Sequence, residues 1–240
     1  LLPTIGIYTQ QWKTQANGFL LNFMTALRYS FVSAPDGYSS KAAQSIADEV
    51  ASSDSGTTAG GGEIPTNLIV IMNESFSDLA AQFPSLNLSD DPLSYYHSLT
   101  KNTVKGTMIS PVTGGGTANV EFEYLTGDSL AFLPSSTVAY QLYMYDGVPS
   151  MVSQAEQLGY HTISFHPYLS SGWNRTSVYP WMGFDQQWFL DDVVNPRLIR
   201  KYVSDSSDYE QLYRATQENS GRTFVFNVTM QNHSGYIQGW

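Results

Sequence analysis

Cysteine is absent from all 240 residues. This excludes disulfides and thiolate metal centres and leaves oxygen and imidazole groups as the ligands for any metal ion. It also suits an oxidising exterior. Basic residues are scarce, with 11 Lys and Arg against 21 Asp and Glu and a formal net charge of −10. Sequence-independent binding of nucleic acid needs a clustered positive surface, so nucleic acid is not expected as a partner. No run of about 18 consecutive apolar residues occurs, so no segment reads as membrane-spanning. The segment 18–32 comes nearest, but Asn22, Thr25 and Arg28 interrupt it and make it an amphipathic helix. An initiating methionine is also missing. Beginning at Leu1-Leu2-Pro3, the chain reads as a piece of a longer protein, with targeting or membrane segments expected upstream.

The length and a hydrophobic content of 42% fit one sizeable α/β domain with a buried core. From Ser52 to Gly62 the sequence is SSDSGTTAGGG, the composition of a flexible linker. It separates an N-terminal helical arm (1–62, linker included) from the body (63–240). Helices are predicted in the arm from Phe19 to Phe31 and from Ser39 to Ala51, the second following the Pro35-Asp36-Gly37 turn signal. Both are expected to pack outside the core. The body opens with Asn67 to Met72 (NLIVIM), a short apolar run of the kind buried on both faces of a parallel sheet. Further strands are predicted at Lys105 to Ser110, His161 to His166 and Thr223 to Met230, with helices at Asn119 to Leu125 and Ser150 to Leu158. Gly159 stands where a helix C-terminus expects glycine. Strands alternating with helices argue for a parallel α/β sheet.

Open parallel sheets bind ligands at the carboxyl ends of their strands. The polar groups expected there are Glu74 after the first strand, His166 after the third, and Asn232 and His233 after the fourth. A second feature is Thr113-Gly114-Gly115-Gly116-Thr117-Ala118-Asn119, a glycine-rich turn leading into a helix. It is neither a P-loop nor a dinucleotide fingerprint, because the Lys-Ser/Thr and the spacing are wrong. Its backbone amides suit an anion, and Thr117 offers a hydroxyl at a helix N-terminus, where an alkoxide is stabilised. The local sequence fits Thr117 equally well as a plain N-cap. A third cluster holds Phe165-His166-Pro167-Tyr168, Trp173-Asn174-Arg175, Tyr179-Pro180 and Gly183-Phe184-Asp185. Arginine gives bidentate recognition of phosphate and tryptophan an apolar wall, although aromatics at this density also build cores.

These motifs, in this order, resemble the lipoteichoic acid synthase family, a branch of the alkaline phosphatase and sulfatase superfamily that transfers glycerol phosphate. The resemblance runs from Asn67 to the end and rests on NLIVIMNES (67–75), GGGTANVEFEYLTG (114–127) and the stretch from His166 to Phe184. It implies a predominantly parallel sheet sandwiched by helices, sulfatase/alkaline phosphatase-like and without its C-terminal portion. It further implies Glu74 as a ligand of a divalent metal, Mn2+ or Mg2+, and Thr117 as both nucleophile and metal ligand. His166, Trp173, Arg175 and His233 match positions lining the glycerol phosphate pocket. The partners implied are the phosphatidylglycerol headgroup, a glycerol phosphate polymer and the outer face of a membrane, reached through transmembrane helices upstream. The family completes its metal site with a later Asp-His pair, and His233 is followed by Ser234-Gly235 instead. The 240-residue piece alone is therefore expected to be inactive and to bind metal weakly. Rival readings are a phosphoethanolamine transferase on the same scaffold, which prefers zinc, and a non-catalytic polymer-binding module. A sulfatase proper is disfavoured because neither Cys nor Ser-x-Pro-x-Arg is present.

Overall fold

The computed structural model describes residues 10–53, 63–135 and 137–235, so most of the predicted linker lies outside the described residues. Three helices come first: α1 (Gln10–Asn17), α2 (Phe19–Tyr29) and α3 (Ser40–Ser53). The body continues with β1 (Asn67–Met72), α4 (Leu79–Gln82), α5 (Ser94–Ser98), α6 (Thr117–Thr126), α7 (Ala139–Leu142) and α8 (Met151–Gln157). It then runs through β2 (Tyr160–Phe165), α9 (Arg175–Met182), β3 (Gln186–Trp188), β4 (Leu198–Ile199), β5 (Tyr202–Val203), α10 (Asp205–Glu218) and β6 (Arg222–Val228).

The main sheet has the order β1-β6-β2-β3, and every pairing in it is parallel. β6 sits inside, with Val225 opposite Ile69 on one side and Ile163 on the other. Its sequence TFVFNV reads as continuous because both faces are covered. Phe224, Phe226 and Val228 pack with Phe122 and Leu125 of α6, Val152 of α8 and Met182 of α9. Val225, on the opposite face, packs with Ile163, Trp188 and Leu212 of α10. Helices thus lie on both faces of a parallel sheet, the architecture expected from the alternation of strands and helices. α8 starts at a Ser150–Ser153 capping box, and Gly159 takes the left-handed conformation (φ +80°) just past its end.

Two expectations are corrected. Lys105 to Ser110 forms no strand. Met108 and Ile109 are 75% and 91% exposed, and the Ser110 hydroxyl closes a local turn on Val112. Apolar composition makes a strand only where a neighbour offers a ladder, and among the described residues none flanks this segment. β1 is an edge strand among the described residues rather than one buried on both faces, with Leu68, Ile69 and Ile71 exposed. α9 was hidden in the sequence by Pro180, which stands inside it.

One buried acid on α10 gives the fold a pH dependence. Asp208 is fully buried, and its Oδ1 accepts a hydrogen bond from Asn227 Nδ2 at 2.9 Å. Its Oδ2 has no partner among the described residues. Burial pushes the carboxyl up to about 8 against the Asn227 hydrogen bond, from an ordinary 3.8. Between those values the folded chain keeps a proton that the unfolded chain loses. This contribution is therefore fully present below about pH 4 and falls away as pH rises towards 8, by roughly a few kcal/mol. Denaturant unfolding across that window should show the decline, and Asp208→Asn should flatten it. An unchanged slope in the variant would show that Asp208 is not its source.

Candidate active site

Because all strands of the main sheet run parallel, their carboxyl ends share one edge, and the loops leaving β1, β2 and β6 meet there. The loop after β1 carries Glu74. Its N–H donates to Thr229 Oγ1 at 3.0 Å, and Thr229 Oγ1 in turn donates to Asn73 Oδ1 at 3.2 Å, so the ends of β1 and β6 are laced together. Ser75 follows at φ +58°, turning the chain away and leaving the Glu74 carboxylate on the edge.

Opposite Glu74 lies the glycine turn. Gly114, Gly115 and Gly116 all have positive φ (65°, 76° and 73°), a run that residues with side chains rarely adopt. Gly116 is the N-cap of α6, and Thr117 is the first helical residue. The N-cap reading of Thr117 is thereby corrected, since its hydroxyl is not used on the helix. Thr117 Oγ1 donates to Glu74 Oε2 at 3.1 Å. The Thr117 and Ala118 amides precede the bond from Asn119 N–H to the Gly116 carbonyl, so the hydroxyl sits at a positive helix end.

The loop after β2 supplies His166, which is buried and whose Nδ1 donates to the Val228 carbonyl at 2.9 Å. Burial, joined by the nearby Arg175 charge, holds its pKa well below the ordinary range, so the ring is neutral with Nε2 as an acceptor. Trp173 and Asn174 then adopt φ of +59° and +66°, two successive left-handed residues without glycine. Such backbone persists only where its surroundings hold it, and here Asn174 Nδ2 bonds the Tyr140 carbonyl at 3.0 Å. The turn launches α9 with Arg175 as its first residue.

Arg175 is 1% exposed and pairs with Glu121 of α6, which is 0% exposed. Its Nε lies 3.2 and 3.3 Å from the two carboxylate oxygens, Nη2 donates to Oε1, and Tyr179 Oη donates to Oε2 at 2.8 Å. Burial works against the guanidinium charge, but Glu121 together with Tyr179 and Tyr140 outweighs it and the pKa stays above the ordinary value. Nη1 is left without a hydrogen-bond partner among the described residues. His233, after β6, is held by the hairpin of β4 and β5. Arg200 donates to the Gln231 and His233 carbonyls, and Tyr202 Oη lies 3.3 Å from His233 Nδ1.

Glu74, Thr117, His166, Trp173, Arg175 and His233 all line a single cavity of about 230 Å³. Asn232 is not among its lining residues and instead donates to Asp205 Oδ2 at 3.4 Å. Tyr168 and Met230 complete the walls, and neither was singled out from the sequence. Nor was Glu121, although an acid flanked by Val120 and Phe122 within a helix is a signal for a buried ion pair. Glu74 and Thr117 are oxygen donors at hydrogen-bonding distance, the ligand chemistry suited to Mg2+ or Mn2+. No group of three or more His, Asp or Glu side chains able to hold a metal is present among the described residues.

Comparison with known proteins agrees with this geometry. The family model described as sulfatase matches residues 66–240. A "Putative cyclic beta-1,2-glucan modification protein" of Rhizobium meliloti (strain 1021) is 37% identical over 238 residues, covering 98% of this chain and 35% of the relative. Among solved structures, the phosphoglycerol transferase GacH of Streptococcus pyogenes, in complex with sn-glycerol-1-phosphate, superposes with a TM-score of 0.74 at 25% identity. That match covers 87% of this chain and 56% of GacH. The lipoteichoic acid synthase LtaP of Listeria monocytogenes shares the fold, with a TM-score of 0.56 at 20% identity over 88% of this chain and 47% of LtaP. The chain thus spans about a third of the curated relative and about half of these solved structures. With parallel sheet, glycine turn and strand-end site all in place, the chain belongs to the sulfatase family.

Proposed function

We propose that this chain carries the nucleophile and phosphoryl pocket of a phosphoglycerol transferase acting at the outer face of a membrane. The observation that carries the reading is the Thr117 hydroxyl, bonded to Glu74 Oε2 at 3.1 Å at the N-terminus of α6, in a cavity that Arg175 also lines. The reading treats 1–62 as an accessory arm and 63–240 as the catalytic body.

In this mechanism Thr117 Oγ1 forms a bond to the phosphorus of phosphatidylglycerol, and the bond from phosphorus to the diacylglycerol oxygen breaks. Diacylglycerol leaves with the proton that Thr117 gave up, and a glycerophosphoryl-threonine remains. An acceptor hydroxyl then bonds to the same phosphorus, and the Thr117 oxygen leaves and regains a proton. Glu74 Oε2 accepts the Thr117 hydroxyl hydrogen and orients the oxygen. Arg175 Nη1 bonds a phosphoryl oxygen, where most of the charge of phosphoryl transfer gathers. His166, being neutral, contributes a hydrogen-bond acceptor for a glycerol hydroxyl. Trp173 and Met230 form the apolar walls around the carbon chain. Glu74 and Thr117 would hold a divalent cation, which when bound supplies Lewis acidity at the phosphoryl oxygen and acidifies a ligating hydroxyl.

The site resemblance points to a glycerol phosphate polymer of the lipoteichoic acid type as acceptor. The 37% identity to the Rhizobium relative named for cyclic glucan modification favours a glucan hydroxyl instead. Either hydroxyl suits the second step. To test the reading, the full-length enzyme carrying this chain would be given headgroup-labelled phosphatidylglycerol or, separately, phosphatidylethanolamine, with each acceptor in turn. The expected result is label in the glucan and release of diacylglycerol. Transfer from phosphatidylethanolamine alone, or no transfer from either lipid, would overturn it.

A further inference from the structure

We propose that Glu121 is a positioning residue that aims Arg175 into the cavity, so that one helix, α6, carries both the nucleophile and the group that orients the phosphoryl ligand. The proposal rests on the reading of Arg175 as the phosphoryl ligand and extends it to a residue outside the cavity lining.

Thr117 and Glu121 stand four residues apart on α6 and therefore on one face, separated by about 6 Å along the axis. The first reaches into the cavity, and the second is fully buried beneath it. A guanidinium has a fixed, planar set of donors. Glu121 takes Nε and Nη2, and Tyr179 Oη holds the far oxygen of that carboxylate at 2.8 Å. The plane of the guanidinium is then determined, and Nη1, without a partner among the described residues, is the nitrogen left for a ligand. A neutral or apolar partner for Arg175 could not impose this orientation. Glu121 acts through Arg175 and touches no substrate.

The test is a double-mutant cycle in the full-length enzyme, with binding of sn-glycerol 1-phosphate as readout. Glu121→Asp keeps the charge pair but draws the carboxylate back by one methylene. Glu121→Asp should weaken binding at least tenfold, as should Arg175→Lys, and the double variant should bind within about threefold of Arg175→Lys alone. The 31P resonance of the bound ligand should move in Glu121→Asp towards its position in Arg175→Lys, which a merely structural role would not cause. If Glu121→Asp fails to fold, Tyr179→Phe, which removes one hydroxyl, replaces it in the same cycle with an expected threefold loss. Wild-type binding in Glu121→Asp, or losses that multiply in the double variant, would overturn the proposal while leaving the reading of the cavity intact. Unweakened binding in Arg175→Lys, or none by the wild type, would remove that reading and the proposal with it.

Discussion

Thr117→Ala is expected to lower transfer by roughly 10⁴-fold or more, since removing a covalent nucleophile leaves only binding and charge stabilisation. The same substitution should leave the fold untouched. Thr117 is the first residue of α6, and among the described residues its hydroxyl caps nothing and bonds Glu74 Oε2. Alanine is a better helix former than threonine, so the melting temperature should hold or rise slightly. Activity and stability are thereby separated, which distinguishes a nucleophile from a structural hydroxyl. Residual transfer within tenfold of wild type would rule out the covalent step at Thr117.

The opposite pattern is expected of Glu121→Ala. Arg175 would stay buried with its charge uncompensated, and breaking a buried pair by deleting one partner costs about 3–5 kcal/mol. For a domain of this size that corresponds to a fall in melting temperature of roughly 10 °C. Replacing both residues, as in Glu121→Leu with Arg175→Met, should cost less than Glu121→Ala alone, because no unpaired charge remains. Thermal unfolding of the two variants checks this ordering. A melting temperature for Glu121→Ala within about 2 °C of wild type would mean that the pair is not held as described.

How much of this could be read in advance depended on which signals were local. β1, β2 and β6 stood out because their apolar runs are short and flanked by breaks, and the strand-end rule then pointed to Glu74, His166 and His233. Thr117 was identified through its glycine turn, but the sequence could not tell an N-cap from a free hydroxyl. That distinction depends on Gly116 taking the cap position. Arg175 was singled out as a candidate phosphate ligand, whereas its partner Glu121 was not. Glu121 lies 54 positions away, and only the packing of α6 against α9 brings the two together. Apolar content misled at Lys105 to Ser110, because a strand is a property of a pair. β3, β4 and β5 are two or three residues long, too short for any periodicity to register. The hairpin that holds His233 was therefore invisible until its contacts were known.

The central claim is that Thr117 takes the phosphoryl group itself. Intact mass spectrometry of the full-length enzyme, quenched during turnover of phosphatidylglycerol without acceptor, measures this directly. The account predicts a mass increase of one glycerophosphoryl group, located by peptide mapping to Thr117 and absent from Thr117→Ala. Turnover with no adduct on the protein, or an adduct on another residue, would contradict it.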